Sequence, residues 1–206
     1  MSPRPNIDHI RRPQILAAAA EVIAERGIAA TRVADVAGRA GTSTSAVLYW
    51  FGSKEELLAE ALMWEDDLFY ADVTERLAEG YSPAERLALL IEAASLGGGW
   101  TLWMELWSRA LRDPQAAEAR EKGDLRWREA IADVVRDGCD SGDFAEVDPD
   151  QVAVTLSALL DGLAVQVTLG DSEVTADRMN QIGRTMAERL VSCQLPESPS
   201  RWLAPA

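Results

Sequence analysis

Histidine and cysteine are almost missing from this chain: His9 is the only histidine, and Cys139 and Cys193 are the only cysteines. His9 lies in the polar stretch MSPRPNIDHIRRPQ, outside any apolar periodicity. A histidine-based nucleophilic triad and an imidazole metal centre are therefore left without their parts. The G-x-S-x-G turn, the phosphate-binding loop and the dinucleotide fingerprint are missing too. No catalytic residue, metal or cofactor is expected. Two isolated cysteines make no disulfide framework, which suits a reducing cytoplasm. No run of about 18 uninterrupted apolar residues occurs, and the amino-terminal stretch has no apolar centre. Neither a membrane span nor a signal peptide is expected.

What is present is enough apolar material for a core, 48% of 206 residues, in one large domain or two small ones. The formal net charge of −14 argues at first against nucleic acid, but it is unevenly placed. Residues 1–54 carry seven basic side chains (Arg4, Arg11, Arg12, Arg26, Arg32, Arg39, Lys54) against four acidic ones (Asp8, Glu21, Glu25, Asp35). That stretch is therefore at +3, and the remainder at −17. Phosphate binding needs a local basic surface, not a basic protein. The acidic remainder would orient such a head toward DNA.

The stretch from Thr31 to Leu57 has the pattern of a DNA-binding motif. Val33, Val36, Ala37 and Ala40 fall at i, i+3, i+4 and i+7, one face of a short helix. Gly41 breaks it, and the N-cap residues Thr42 to Ser45 lead into a second helix over Ala46 to Phe51. Two short helices about a glycine turn make a helix-turn-helix, whose second helix enters the major groove. Thr44, Ser45 and Ala46 are expected to approach base edges, with Thr42 before them and Tyr49 and Trp50 flanking. Lys54 and Arg32 are candidate phosphate contacts, as are Arg11 and Arg12 at the end of a polar arm over residues 1–12. A first helix is predicted from Pro13 to Arg26, with Ile15, Ala18, Ala19, Val22 and Ile23 inward and Gly27 ending it.

On these residues the chain resembles the tetracycline-repressor (TetR) family of bacterial regulators. The resemblance is carried by Ile15-Leu16-x-Ala18-Ala19, Glu25-Arg26-Gly27, Thr31-x-Val33, Val36-Ala37, Ala40-Gly41-x-Ser43, Leu48-Tyr49-x-Phe51 and Ser53-Lys54-Glu55-x-Leu57. Many members read Leu-Tyr-His-Tyr-Phe where this chain has Val47-Leu48-Tyr49-Trp50-Phe51. The resemblance implies an all-α fold of about nine helices. A three-helix head over residues 1–53 would bind a double-stranded DNA operator, and a larger ligand-binding and dimerisation body would occupy residues 54–193, followed by a tail over 194–206.

The body divides at its punctuation. Ser53 and Glu56 form a capping box opening a helix from Lys54 to about Glu79, about 39 Å long. Ser82-Pro83-Ala84-Glu85 opens another, toward Leu96, and Gly97-Gly98-Gly99 interrupts it. Helices follow over Trp100 to Arg112 and Pro114 to Gly138. Asp148-Pro149 starts one that runs to Leu169 and is apolar nearly all round, and the last covers Thr175 to Val191. A helix apolar on every face is buried on every face, which a second copy of the chain would accomplish. The expected homodimer interface is a four-helix bundle made by Val152, Leu156, Leu159, Leu163 and Val167 with Met179, Ile182 and Met186.

Seven tryptophans are many for 206 residues. Trp100, Trp103 and Trp107 share one helical face with Met104, and Trp127 and Trp64 lie on neighbouring helices. They form either ordinary core or the wall of an effector pocket, as the family's plan implies, completed by Leu68, Phe69 and two carboxylates inside apolar stripes, Glu65 and Asp161. Such carboxylates need a partner, for which Arg109 and Arg126 are candidates, or a bound cation held against tryptophan faces. The Trp-rich helix and Leu160-Asp161-Gly162-Leu163 are similar to the choline-responsive branch of the family. The implied effector is a cationic amine, or a large aromatic compound. The reading is a homodimeric, ligand-released repressor; the alternative is a structural DNA-binding dimer without a ligand.

Overall fold

The computed structural model describes residues 8–96 and 99–198, with side chains from residue 12 onward. Arm residues 1–7, Gly97, Gly98 and Trp202 of the tail lie outside the described residues, as does the side chain of Arg11. Among the described residues there are nine helices and no strand: α1 (Asp8–Ala30), α2 (Val33–Arg39), α3 (Thr44–Phe51), α4 (Lys54–Leu77), α5 (Pro83–Leu96), α6 (Trp100–Ala110), α7 (Pro114–Ser141), α8 (Pro149–Thr168) and α9 (Ala176–Val191). Among the described residues, backbone contacts gather 8–68 and 101–119 into one compact unit, and 69–96, 99–100 and 120–198 into a second.

The first unit is closed by Ile15, Ala18, Ala19, Val22 and Ile23 of α1, the face the periodicity predicts. They pack with Val36 and Ala37 of α2, Val47 and Phe51 of α3, and Leu57, Leu58, Ala61 and Leu62 of α4. Leu102 of α6 completes that core. The unit thus extends past the expected boundary at residue 53, because the apolar face of the early turns of α4 is part of the head's own core. Helix α1 begins earlier than expected, at Asp8, with Pro13 inside it. Arg12 is therefore helical, where an arm was expected. Gly27 does interrupt the helix (φ 75°, ψ 161°), and the chain resumes a turn in which the Thr31 amide and hydroxyl donate to the Gly27 carbonyl.

In the second unit the helix buried all round is α5. Leu87, Leu89, Leu90 and Ile91 are each essentially inaccessible. Helix α8, for which that role was expected, buries one side, Val152, Ala153, Leu156, Ser157, Leu160, Leu163 and Ala164, while Val154 is 46% exposed, and Leu169, just past its end, 77%. Four of the expected dimer-interface residues, Val152, Leu156, Leu163 and Met179, are consumed by the core of their own chain. The reason is the small-residue spacing of α9: Met179, Gly183, Ala187 and Val191 lie on one face and seat the helix closely against α5 and α8. Leu159, Val167 and Ile182 are only partly buried against the core, and Met186 is also half-exposed.

Helix ends follow their caps. Ser53 and Glu56 exchange side-chain and backbone hydrogen bonds at 3.1 Å each, and Ser82 and Glu85 repeat the device. Asp148 accepts from the amides of Asp150 and Gln151 ahead of Pro149. Helix α7 passes Gly138, expected as its end, and stops at Ser141 before Gly142 (φ 79°). Gly138 serves a packing role instead: a Cβ there would lie 2.1 Å from Cδ2 of Phe144, whose ring occupies that space.

Candidate DNA interface and effector site

Helix α3 is oriented by two anchors. Val47 and Phe51, four residues apart, are buried against α1 and α4, which turns Thr44, Ser45, Leu48 and Tyr49 outward. Ser43 caps the helix, its Oγ accepting from the Ala46 amide at 3.1 Å, so Thr44 and Ser45 already belong to the first turn and are free of capping duty. Tyr49 is 83% exposed, with its ring edge-on to Trp50 at 5.7 Å. Ala46 and Trp50 are half-buried at the margins, and Trp50 also packs against the head's core. Gly41 makes the turn before it (φ 64°), and Thr42 is held there by its amide donating to the Ala37 carbonyl. Leu48 is 39% exposed and is not among the expected base or phosphate contacts. The signal was present, since burial of residues 47 and 51 on one face requires residue 48 to lie off it.

The positive charge of the head is partly spent internally. Arg39 of α2 is clamped by Glu21 and Glu25 of α1 at 2.7 and 2.8 Å, which raises its own pKa and lowers that of Glu25. Arg26 pairs with Asp35 at 3.0 Å. Arg12 pairs with Glu60 and lies over the Phe51 ring, 4.9 Å from its centroid. These pairs tie α1 to α2 and α4. Among the described residues, Arg32, one residue before α2, and Lys54, the first residue of α4, carry no carboxylate partner. Of the described cations in residues 1–54, these two are the ones not engaged by a carboxylate.

The residues expected to line a pocket divide between the units. In the first unit, α6 turns Leu102 and Leu106 toward the head's core and leaves Trp103, Met104 and Trp107 half-buried. Trp64 lines an open groove of about 460 Å³ with Leu16, Ala59, Glu60, Met63 and Asp67. Leu68, expected in the apolar stripe of α4 and in the pocket wall, is exposed, while Tyr70 and Val73 of that helix are buried. Glu65 has no ion pair with Arg109, which is held by Asp113 at 2.7 Å; burial, with Glu21 nearby, raises the Glu65 pKa.

In the second unit, Phe69 stands 6.0 Å from Trp127 and edge-on to Tyr70 at 5.4 Å. The Tyr70 hydroxyl donates to the Gly123 carbonyl at 3.1 Å, and the Arg126 guanidinium lies 3.9 Å above the Tyr70 ring. Trp100 donates from its indole to the Ala94 carbonyl at 2.8 Å. On the same stretch of α7 as Trp127, Asp124 pairs with Arg120 at 3.1 Å, and its pKa is raised by burial against the pull of Arg120 and Arg128. Asp161 of α8 has no hydrogen bond or ion pair with any described residue. Burial first, and Asp124 second, push its pKa up to about 6. An under-compensated carboxylate near a second one is a position where a cation would be stabilised.

A capped, outward-facing recognition helix on a three-helix head, with free cations before it and after it, defines a helix-turn-helix DNA-binding regulator. Comparison with known proteins places it further. Residues 15–61 match the family of bacterial regulatory proteins, tetR family, and residues 83–192 match the BetI-type transcriptional repressor, C-terminal family. The chain is 28% identical over 183 residues to the HTH-type transcriptional regulator BetI of Burkholderia cenocepacia, covering 84% of this chain and 89% of that one. It is 27% identical to BetI 1 of Chromohalobacter salexigens, covering 96% and 98%. A crystal structure of a transcriptional regulator from Saccharomonospora viridis in complex with choline is similar at 32% identity and a TM-score of 0.81, covering 87% of this chain and 96% of that one. The chain belongs to the TetR family of transcriptional regulators, with a body of the BetI repressor type.

Proposed function

We propose that the protein is a homodimeric repressor acting in the cytoplasm, bound to a palindromic operator through residues 1–53 and released by a small cationic amine. The observation that carries the effector is Asp161, a partly buried carboxylate without a described partner, with Asp124 nearby and the Phe69–Trp127 aromatic pair in the same unit. Aromatic faces contribute ~0.5–2 kcal/mol to holding a cation, and a carboxylate favours it further. The choline held by the relative from Saccharomonospora viridis supports this ligand class over a neutral aromatic.

Two copies would place their recognition helices about 34–36 Å apart, the spacing of successive major grooves. Within the first unit, Leu102 of α6 packs in the head's core. In addition, Glu105 sits against the Gly27 interruption of α1, with its Oε1 2.7 Å from where a Cβ would be. The effector supplies only its differential affinity for the bound and released states.

The pairing surface is the outward side of α8 and α9: exposed Val154 and Leu169 with partly buried Leu159, Val167, Ile182 and Met186. Val154→Glu is expected to yield a monomer with unchanged helical content by circular dichroism and analytical ultracentrifugation, and to weaken operator binding by at least about tenfold through loss of the second half-site. A variant that stays dimeric would move the interface elsewhere. The proposal as a whole is tested by selecting duplexes from a random pool at stated salt, then adding choline. A palindrome released by choline is expected. A palindrome that choline and polyamines leave bound would favour the ligand-independent dimer.

A further inference from the structure

The outward face of α3 lacks the side chains that most often discriminate bases. The helix reads TSAVLYWF and contains no arginine, lysine, asparagine or glutamine. Bidentate recognition of guanine or adenine, the commonest direct readout, is therefore unavailable from this helix. The groups it offers are the hydroxyls of Thr44, Ser45 and Tyr49, the half-buried methyl of Ala46, and one large exposed hydrocarbon, Leu48. Hydroxyls donate and accept alike, so they position the helix more than they distinguish edges.

Leu48 belongs to neither hydrophobic core, although Val47 beside it is fully buried. It stands one turn after Thr44 on the outward side, in the middle of the surface that DNA would cover. The only apolar group on the major-groove edge of any base pair is the thymine C5-methyl. We infer that Leu48 is a specificity-determining residue that reads a thymine methyl, and that each operator half-site carries an A·T pair facing it. The inference rests on the DNA-binding assignment of the head but names a base contact that the assignment leaves open.

The test uses the full-length protein and its selected operator. Each thymine of one half-site is replaced in turn by deoxyuracil, which removes only the methyl group. At one position, affinity is expected to fall about threefold to fivefold, the worth of one buried methyl. In Leu48→Ala the same replacement is expected to have no effect, while the variant keeps the parent's melting temperature, because Leu48 is outside the core. Restoring the methyl with 5-methylcytosine opposite guanine at that position should recover part of the wild-type affinity relative to cytosine. The assignment to Leu48 is overturned if no uracil replacement weakens binding, or if the weakening persists in Leu48→Ala. Failure to select any duplex would overturn the DNA-binding reading itself, so the two failures are distinguishable.

Discussion

Gly183→Val is expected to destabilise the protein by about 2–3 kcal/mol and to lower its melting temperature by roughly 4–12 °C. The position is the point of closest approach in the body. A Cβ added there would lie 2.9 Å from Ile91 Cγ2 and 2.9 Å from Leu160 Cδ2, and both neighbours are themselves fully buried. Neither can retreat, so valine's further two carbons must push α9 off α5 and α8. Because Met179, Ala187 and Val191 share that face, the displacement spreads along the helix. Gly38→Ala provides the contrast. Gly38 is exposed within α2 with nothing near its missing Cβ, so alanine should stabilise by about 0.5–1 kcal/mol through helix propensity. Urea and thermal melts of both variants check the pair. A Gly183→Val protein melting within a degree of the parent would mean that α9 is not seated as described.

Asp161→Asn should separate ligand binding from stability in opposite directions. A carboxyl whose pKa is higher folded than unfolded binds its proton more tightly in the folded state, so ionising it weakens folding. For Asp161 the ordinary 3.8 rises to about 6, through burial and then Asp124, with Arg120 and Arg128 opposing. The penalty therefore develops as pH climbs from about 4 to about 6 and is fully present at pH 7.5. Asparagine removes it. The variant should be more stable than the parent at pH 7.5 by on the order of 1 kcal/mol, discounted from the full shift for partial exposure, and no more stable near pH 4. Choline affinity should meanwhile fall roughly tenfold to a hundredfold, ~1.4–2.8 kcal/mol, and in the parent it should weaken as pH drops below 6. Calorimetric titration at pH 7.5 and 5.5 measures both. Unchanged choline affinity in Asp161→Asn would remove this carboxylate from the site.

The head was legible because its signals are local. Gly41, the N-cap cluster from Thr42 to Ser45 and the Ser53–Glu56 box each act within one turn of backbone; the cap falls on Ser43, so the helix begins at Thr44, two residues before the expected Ala46. The inward face of α1 was equally legible, since helical periodicity alone sorts Ile15, Ala18, Ala19, Val22 and Ile23 from their neighbours. The packing of the last two helices was not. Val152, Leu156 and Met179 look the same in sequence whether they face their own chain or another, and the choice is made by Gly183 and Ala187, which let α9 approach close enough to claim them.

By itself, then, the sequence determined an all-helical chain, the order and most ends of its helices, and a helix-turn-helix with a recognition helix of hydroxyls, because caps, turns and periodicity are properties of a few consecutive residues. Only the tertiary structure decided that α5, and not α8, is the central helix of the body, that Arg12, Arg26 and Arg39 are held by carboxylates while Arg32 and Lys54 are not, and that Leu48 faces outward unclaimed by either core. Those outcomes depend on which distant segments meet, and burial and ion pairing exist only after they have met.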